Sequence, residues 1–103
     1  GSPGQLLKNI EIWNDLSDEI RNKLDFPLIN SLEILEVSKF ISEKLEINQQ
    51  ICLVNLIQII WWRNTKNTYI MKKLENLKKH LKKNIQPRLA WEITFLKIAM
   101  KEI

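Results

Sequence analysis

The chain has 103 residues and a net charge of +4, with 45% hydrophobic and 27% charged residues. This length suits one domain and is too short for two, and the composition excludes an intrinsically disordered chain. Only two glycines and three prolines occur, too few for the many turns of a β-sandwich or barrel. We therefore predict an all-α fold, a compact bundle of about five helices.

Residues 1–4, Gly-Ser-Pro-Gly, are typical of a cloning scar, and residues 5–103 are predicted to form a single helical-bundle domain. In residues 5–24 the apolar positions follow helical spacing. Ser17, followed by two acidic residues, indicates a helix start inside this segment. The segment is either one helix or two short ones, and either part of the bundle or an extension packing on it.

The second and third helices are predicted at about 30–46 and 50–63. Asn30, with Glu33 three residues later, fits a capping box, and residues 47–49 are expected to form a loop. The third helix is too apolar for a surface position and too short to cross a membrane, which needs about 20 residues. We expect it to be central and buried on all sides. Because adjacent Trp61 and Trp62 point about 100° apart, one is expected in the core and the other at a groove edge.

The fourth helix, from about residue 67 to residue 80 or 83, carries most of the basic charge. Residues 61–103 hold eleven basic and three acidic side chains, a net +8, whereas residues 1–60 hold five and nine, a net −4. Candidate partner-binding residues here are Lys72, Lys78, Lys79, His80, Lys82 and Lys83. Three interpretations stay open for this basic segment: a solubilising face, a docking surface for acidic or phosphorylated peptides, and a nucleic-acid contact.

The fifth helix begins near Gln86, with Pro87 at its first helical position. It has two apolar stripes, one formed by Leu89, Ile93, Leu96, Met100 and Ile103 and the other by Trp91, Phe95 and Ile98. A surface helix needs only one such stripe. The second stripe is therefore predicted either to pack on another element, such as the first segment, or to form an apolar contact surface for a partner.

Catalytic chemistry is not indicated by the sequence. Cys52 is the single cysteine and lies in an apolar run, where a buried structural role is expected. The sequence contains no Gly-rich phosphate loop and no metal-ligand motif. We predict a protein that is not an enzyme and uses no cofactor or metal, in a reducing intracellular compartment.

Residues 68–80 resemble the helix shared by the N-terminal domains of transcription elongation factor TFIIS, elongin A and their relatives. The matching positions are Thr68, Ile70, Lys72, Leu74, Leu77, Lys78, Lys79 and His80. Residues 44–48 and the apolar helix after them resemble the integrase-binding domain of LEDGF. The resemblance covers about residues 41–103.

This resemblance implies a right-handed bundle in a nuclear, transcription-associated protein that binds short acidic or disordered segments. In the LEDGF-like case the partner docks on two interhelical loops, which adds Asn48 to the candidate residues beside His80. Protein–protein docking is therefore the main hypothesis. The alternatives are nucleic-acid binding by the basic segment 66–88 and a helical subunit of a larger assembly. We expect a monomer or part of a hetero-complex, with no membrane association.

Overall fold

Five helices follow one another along the computed structural model, which describes residues 11–102. They are α1 (Asp18–Lys23), α2 (Ser31–Lys44), α3 (Ile47–Thr65), α4 (Thr68–Lys82) and α5 (Pro87–Glu102). Residues 11–15 are also helical, and the described part of the chain contains no strand. The predicted all-α bundle is confirmed, whereas the predicted cloning scar at residues 1–4 lies outside the described residues.

Side-chain caps start two helices where the sequence predicts them. The Ser17 hydroxyl accepts a backbone N–H from the first turn of α1 at 3.3 Å. Because α1 begins after Ser17, the first predicted segment consists of two helical pieces. Asn30 Oδ1 accepts two first-turn N–H groups of α2, at 2.9 and 3.2 Å. These bonds satisfy backbone donors that have no partner within the helix itself.

The loop predicted at residues 47–49 is wrong, because α3 already begins at Ile47. Glu46 is the residue that precedes the helix, and its backbone N–H donates to Oε1 of Gln49 at 2.8 Å. This bond is one half of a capping box, which lets the helix begin among polar residues that otherwise favour a loop. Only Leu45 and Glu46 therefore separate α2 from α3.

Residues 11–24 contribute to the same hydrophobic core as the later helices. Their buried members are Ile12, Leu16, Ile20 and Leu24. The indole Nε1–H of Trp61 on α3 donates to the carbonyl oxygen of Leu24 at 2.7 Å. Lys23 lies 3.2 Å from Glu19 and 3.3 Å from Glu36 on α2. A buried hydrogen bond and an exposed ion pair thus connect this segment to the bundle.

The centre of the bundle is aromatic. Trp91, Phe95 and Ile98 of α5 are each 0% exposed, so the apolar contact surface predicted at these residues is not a surface. The ring of Phe95 lies 5.4 Å from that of Trp91 and 5.8 Å from that of Trp61. Trp91 Nε1–H donates to Oε1 of the buried Gln50 at 2.9 Å. Since α5 contacts α2 and α4, this stripe packs on other elements of the bundle. The alternative prediction, that the stripe packs inside the domain, is therefore the correct one.

The helix α3 is not buried on all sides, contrary to the expectation. Trp61 is 0% exposed and Trp62 is 39% exposed, as expected for neighbouring positions on a helix, and Ile59 is 55% exposed. The reason is that α3 packs on α2 and α4, which leaves a strip of its surface to solvent.

The turns on both sides of α4 contain no glycine. Lys66, Asn84 and Gln86 have positive φ angles of 52°, 53° and 46°. This left-handed region is unfavourable for residues that carry a Cβ atom. Lys66 ends α3, and the other two residues lie between α4 and α5, so left-handed residues bound α4 at each end.

Candidate interaction surfaces

The helix α4 has a buried apolar side and an exposed basic side. Its apolar seam consists of Ile70, Leu74, Leu77 and Leu81, which are all buried. Four of the predicted partner-binding residues, Lys72, Lys79, Lys82 and Lys83, are exposed. Within the described residues none of these four, named here the outer lysines, forms an ion pair. They are therefore accessible to a partner.

Lys78, also predicted to bind a partner, is instead held within the bundle. Its Nζ lies 3.0 Å from Glu75 Oε2 and donates to Oδ1 of Asn55 on α3 at 2.9 Å. The Gln58 amide also donates to Glu75, at 2.8 Å. These hydrogen bonds, first from Gln58 and then from Lys78, hold the pKa of the Glu75 carboxyl below its ordinary value. Lys78 thus links α4 to α3.

His80 and Asn48 lie at separate features of the surface. His80 is exposed, and its Nε2 lies 3.2 Å from the carbonyl oxygen of Ile85, across the turn after α4. Asn48 is exposed in the first turn of α3. It lines a cavity of about 270 Å³ together with Glu11, Ile12, Gln49 and Cys52. The resemblance therefore combined two residues that line different hollows.

A groove runs between α4 and α5 and is named here the α4–α5 groove. Its first part has a volume of about 270 Å³, and its lining residues are Lys73, Asn76, Leu77 and His80 from α4 and Ala90, Ile93, Thr94 and Lys97 from α5. A second hollow of about 250 Å³ is lined by Tyr69, Lys97, Met100 and Lys101. Because Lys97 lines both hollows, we treat them as one groove along the two helices.

Three lysines give the α4–α5 groove its charge. The Nζ atoms of Lys73 and Lys101 lie 5.1 and 5.6 Å from the centroid of the Tyr69 ring, within the range of cation–π attraction. Lys97 is exposed between the two hollows. Among the described side chains that line the groove there is no carboxylate. The groove is thus cationic along its length.

Sequence reasoning missed most of this groove. Tyr69, Lys73, Asn76 and His80 are spaced i, i+4, i+7 and i+11, the spacing that places residues on one face of a helix. That pattern was available in the sequence. Its partner on α5 was not, because the pairing of two helix faces depends on how the helices pack.

An apolar stripe on α5 faces solvent and is named here the outer stripe. Leu89, Ile93, Leu96 and Met100 are 45%, 42%, 36% and 77% exposed. Ile103, the fifth residue of the predicted stripe, lies outside the described residues. The outer stripe is opposite the aromatic stripe that fills the core, so α5 is apolar on two sides and buries one of them.

The described residues offer no group of three or more His, Cys, Asp or Glu side chains that could hold a metal ion. None of their helices is long and apolar enough to span a membrane. Cys52 is half-buried beside the cavity that Asn48 lines, rather than fully buried as expected. The described surface carries the outer lysines, the α4–α5 groove and the outer stripe, and it also exposes apolar side chains elsewhere, among them Phe26, Ile29 and Leu32.

Fold and surface together define an all-α helical domain with an exposed apolar stripe and a basic side. Residues 1–98 match the family described as cyanobacterial DNA polymerase III delta prime, C-terminal domain, and the chain belongs to this family. No curated protein and no solved structure gives a significant match. The chain is thus a helical domain of a DNA polymerase III subunit, in agreement with the larger-assembly alternative rather than the main docking hypothesis.

The resemblance to the TFIIS and LEDGF domains is wrong, because the family match places the chain with a bacterial DNA polymerase. The nuclear location and the role in transcription that followed from the resemblance are wrong for the same reason. Ile70, Leu74 and Leu77, which carried much of the resemblance, are core residues. Any amphipathic helix in a bundle needs such a pattern, so the pattern indicated burial and not family.

Proposed function

We propose that this domain is a non-catalytic assembly domain that holds a delta prime subunit against other subunits of DNA polymerase III. The observation that carries the proposal is the outer stripe of α5. The family name supports it, because delta prime is by that name one component of the polymerase. A domain with this role needs a surface for neighbouring subunits rather than a catalytic cleft.

The outer stripe has no task inside the domain. The opposite side of α5 already fills the core with Trp91, Phe95 and Ile98, all 0% exposed. Single exposed apolar residues are normal on a protein surface, but a contiguous apolar patch is typical of an interaction site, and the outer stripe is a row of four such residues along one side of a helix. Covering the exposed half of a Leu or Ile side chain would contribute roughly 1 kcal/mol per residue, so four such residues can anchor a subunit contact.

Mixing the full chain with the other subunits of a cyanobacterial DNA polymerase III, followed by size-exclusion chromatography and native mass spectrometry, tests the proposal. We expect a complex with the wild-type chain and its loss with the double variant Leu89→Glu/Leu96→Glu. The matched control is Leu32→Glu/Ile59→Glu, which places two carboxylates at exposed apolar positions, 65% and 55% exposed, on other helices. Circular dichroism verifies that both variants fold.

Two results would contradict the assembly role. One is the absence of a complex between the wild-type chain and every other subunit. The other is equal retention, or equal loss, of the complex by the stripe variant and the control variant, because the outer stripe would then have no part in it.

A second candidate function is nucleic-acid binding, favoured by the outer lysines. Four exposed, unpaired cations on one helix and its end can contact phosphates, and such binding falls steeply with salt. A gel shift with single-stranded and duplex DNA at about 50 and 200 mM salt tests it. Binding that the variant Lys79→Gln/Lys82→Gln weakens would support this function, and no binding at low salt would exclude it.

A further inference from the structure

The α4–α5 groove combines an apolar floor with a cationic rim. We propose that it binds an amphipathic helix of a partner subunit, whose apolar residues are flanked by Asp and Glu. The proposal rests on the assembly role and names the chemistry of one partner. It concerns a surface that shares Ile93 and Met100 with the outer stripe and is separate from the outer lysines.

The floor of the groove suits apolar side chains. Leu77 and Ala90 close its base and are buried, whereas Ile93 is 42% exposed at its edge. At the far end Met100 is 77% exposed. A partner that covers Ile93 and Met100 removes apolar surface from water on both molecules, the driving force of helix-in-groove recognition.

The rim of the groove suits carboxylates. Lys73, Lys97 and Lys101 supply three ammonium groups, and no described carboxylate of the groove neutralises them. A cleft lined by charges of one sign focuses the electrostatic field and raises the rate at which ligands of the opposite charge encounter it. Asn76 and His80 add polar groups that can meet the backbone or side chains of the partner.

The same features favour a peptide helix over a nucleic acid. Bases would need an open aromatic face for stacking, but the Tyr69 ring already has the ammonium groups of Lys73 and Lys101 over it. A phosphate backbone would also leave Ile93 and Met100 in water. The stretch from Tyr69 to His80 rises about 16 Å along α4, which matches about three turns of a helix laid in the groove.

The probe for the test is a fluorescein-labelled peptide of about four helical turns. It carries Leu at i, i+4, i+7 and i+11, with Glu and Ala elsewhere. Two matched peptides replace every Glu by Lys or every Leu by Ser. Fluorescence anisotropy with the full chain at about 50 mM and 150 mM salt measures binding. We expect saturable binding of the Glu/Leu peptide, weaker at the higher salt, and none of either matched peptide.

Two variants of equal charge locate the binding. Lys73→Gln/Lys97→Gln removes two of the three positive charges of the rim, whereas Lys79→Gln/Lys82→Gln removes the same charge from exposed lysines that do not line the groove. We expect the first to weaken peptide binding roughly fivefold to tenfold, as for the loss of two partly screened ion pairs, and the second by less than about twofold.

Several outcomes would overturn the proposal. They are no binding of the Glu/Leu peptide, equal binding of the Lys peptide, and equal weakening by the two variants. Single-stranded DNA that displaces the peptide and loses affinity only in the Lys73→Gln/Lys97→Gln variant would assign the groove to nucleic acid. A dimer in sedimentation that this variant abolishes would assign it to a second copy. If the subunits assemble but the peptide does not bind, the groove proposal is refuted and the assembly role stands. If the peptide binds but the subunits do not assemble, only the assembly role is refuted.

Discussion

Replacing Trp61 by Phe should destabilise the domain through two losses at one position. Trp61 is 0% exposed, and its Nε1–H donates to the Leu24 carbonyl oxygen at 2.7 Å. Phe leaves that buried carbonyl without this donor, at a cost of about 1–3 kcal/mol. The smaller ring also leaves a void beside Phe95, whose centroid lies 5.8 Å away. Together we expect a loss of about 2–4 kcal/mol in the free energy of unfolding.

Urea unfolding followed by circular dichroism measures this loss, and Trp62→Phe is the matched control one position along the chain. Trp62 is 39% exposed, so its replacement should change stability by no more than about 0.5 kcal/mol. Equal losses in the two variants, or a loss below about 0.5 kcal/mol for Trp61→Phe, would refute the reasoning. Either result would also show that the hydrogen bond between Trp61 and Leu24, which connects residues 11–24 to the bundle, does not contribute to stability.

Three further changes test the internal polar contacts and a helix cap. The Gln50 amide accepts from Trp91 at 2.9 Å and donates to the Leu45 carbonyl at 3.0 Å; Gln50→Leu should therefore cost about 2–4 kcal/mol. In a double-mutant cycle in urea it should couple with Trp91→Phe, and additive losses would contradict the contact. Hydrogen bonds hold the pKa of Glu75 in the folded state below its ordinary value of 4.5. The ionised carboxylate therefore stabilises the fold at pH values above 4.5, and this stabilisation is lost as the pH falls through the pKa of the folded state. Glu75→Gln should accordingly cost more at about pH 7 than at about pH 3, and a pH-independent difference would argue against it. Asn30→Ala should lower the thermal stability by about 1 kcal/mol, whereas Asn30→Ser should retain most of it; equal melting temperatures for the two would exclude the cap.

Helix positions followed from local signals in the sequence. Ser17, Asn30 and Pro87 mark helix starts by chemistry that acts within one turn, and the structure has helices beginning directly after the first two and at the third. The start of α3 was missed because Glu46 is a weaker capping residue than Ser or Asn. Its role depends on the side chain of Gln49, three residues further on.

The two sides of α5 could not be ranked from the sequence. Both stripes follow helical spacing, and periodicity alone does not say which one is buried. The bulk of Trp91 and Phe95 decides in favour of the core, where large rings bury the most apolar surface. The groove between α4 and α5 depends on how two distant helix faces meet. For the same reason the sequence did not indicate Lys97 and Lys101 as site residues. It did indicate Lys78 as a partner-binding residue, although Lys78 binds Asn55 within the bundle.

The turns without glycine lower the stability of the domain, and a substitution in one of them could recover part of that loss. A left-handed conformation costs a residue with a Cβ atom about 1–2 kcal/mol, and Lys66 adopts it at a φ of 52°. Glycine would remove this strain but add about 0.5–1 kcal/mol of chain entropy in the unfolded state. Asparagine tolerates the same backbone without that entropic cost, as Asn84 already does. Lys66→Asn at the junction between α3 and α4 gives up the contact of the Lys66 Nζ with the Trp62 ring at 5.4 Å. It should nevertheless raise the melting temperature without altering the α4–α5 groove, which Lys66 does not line.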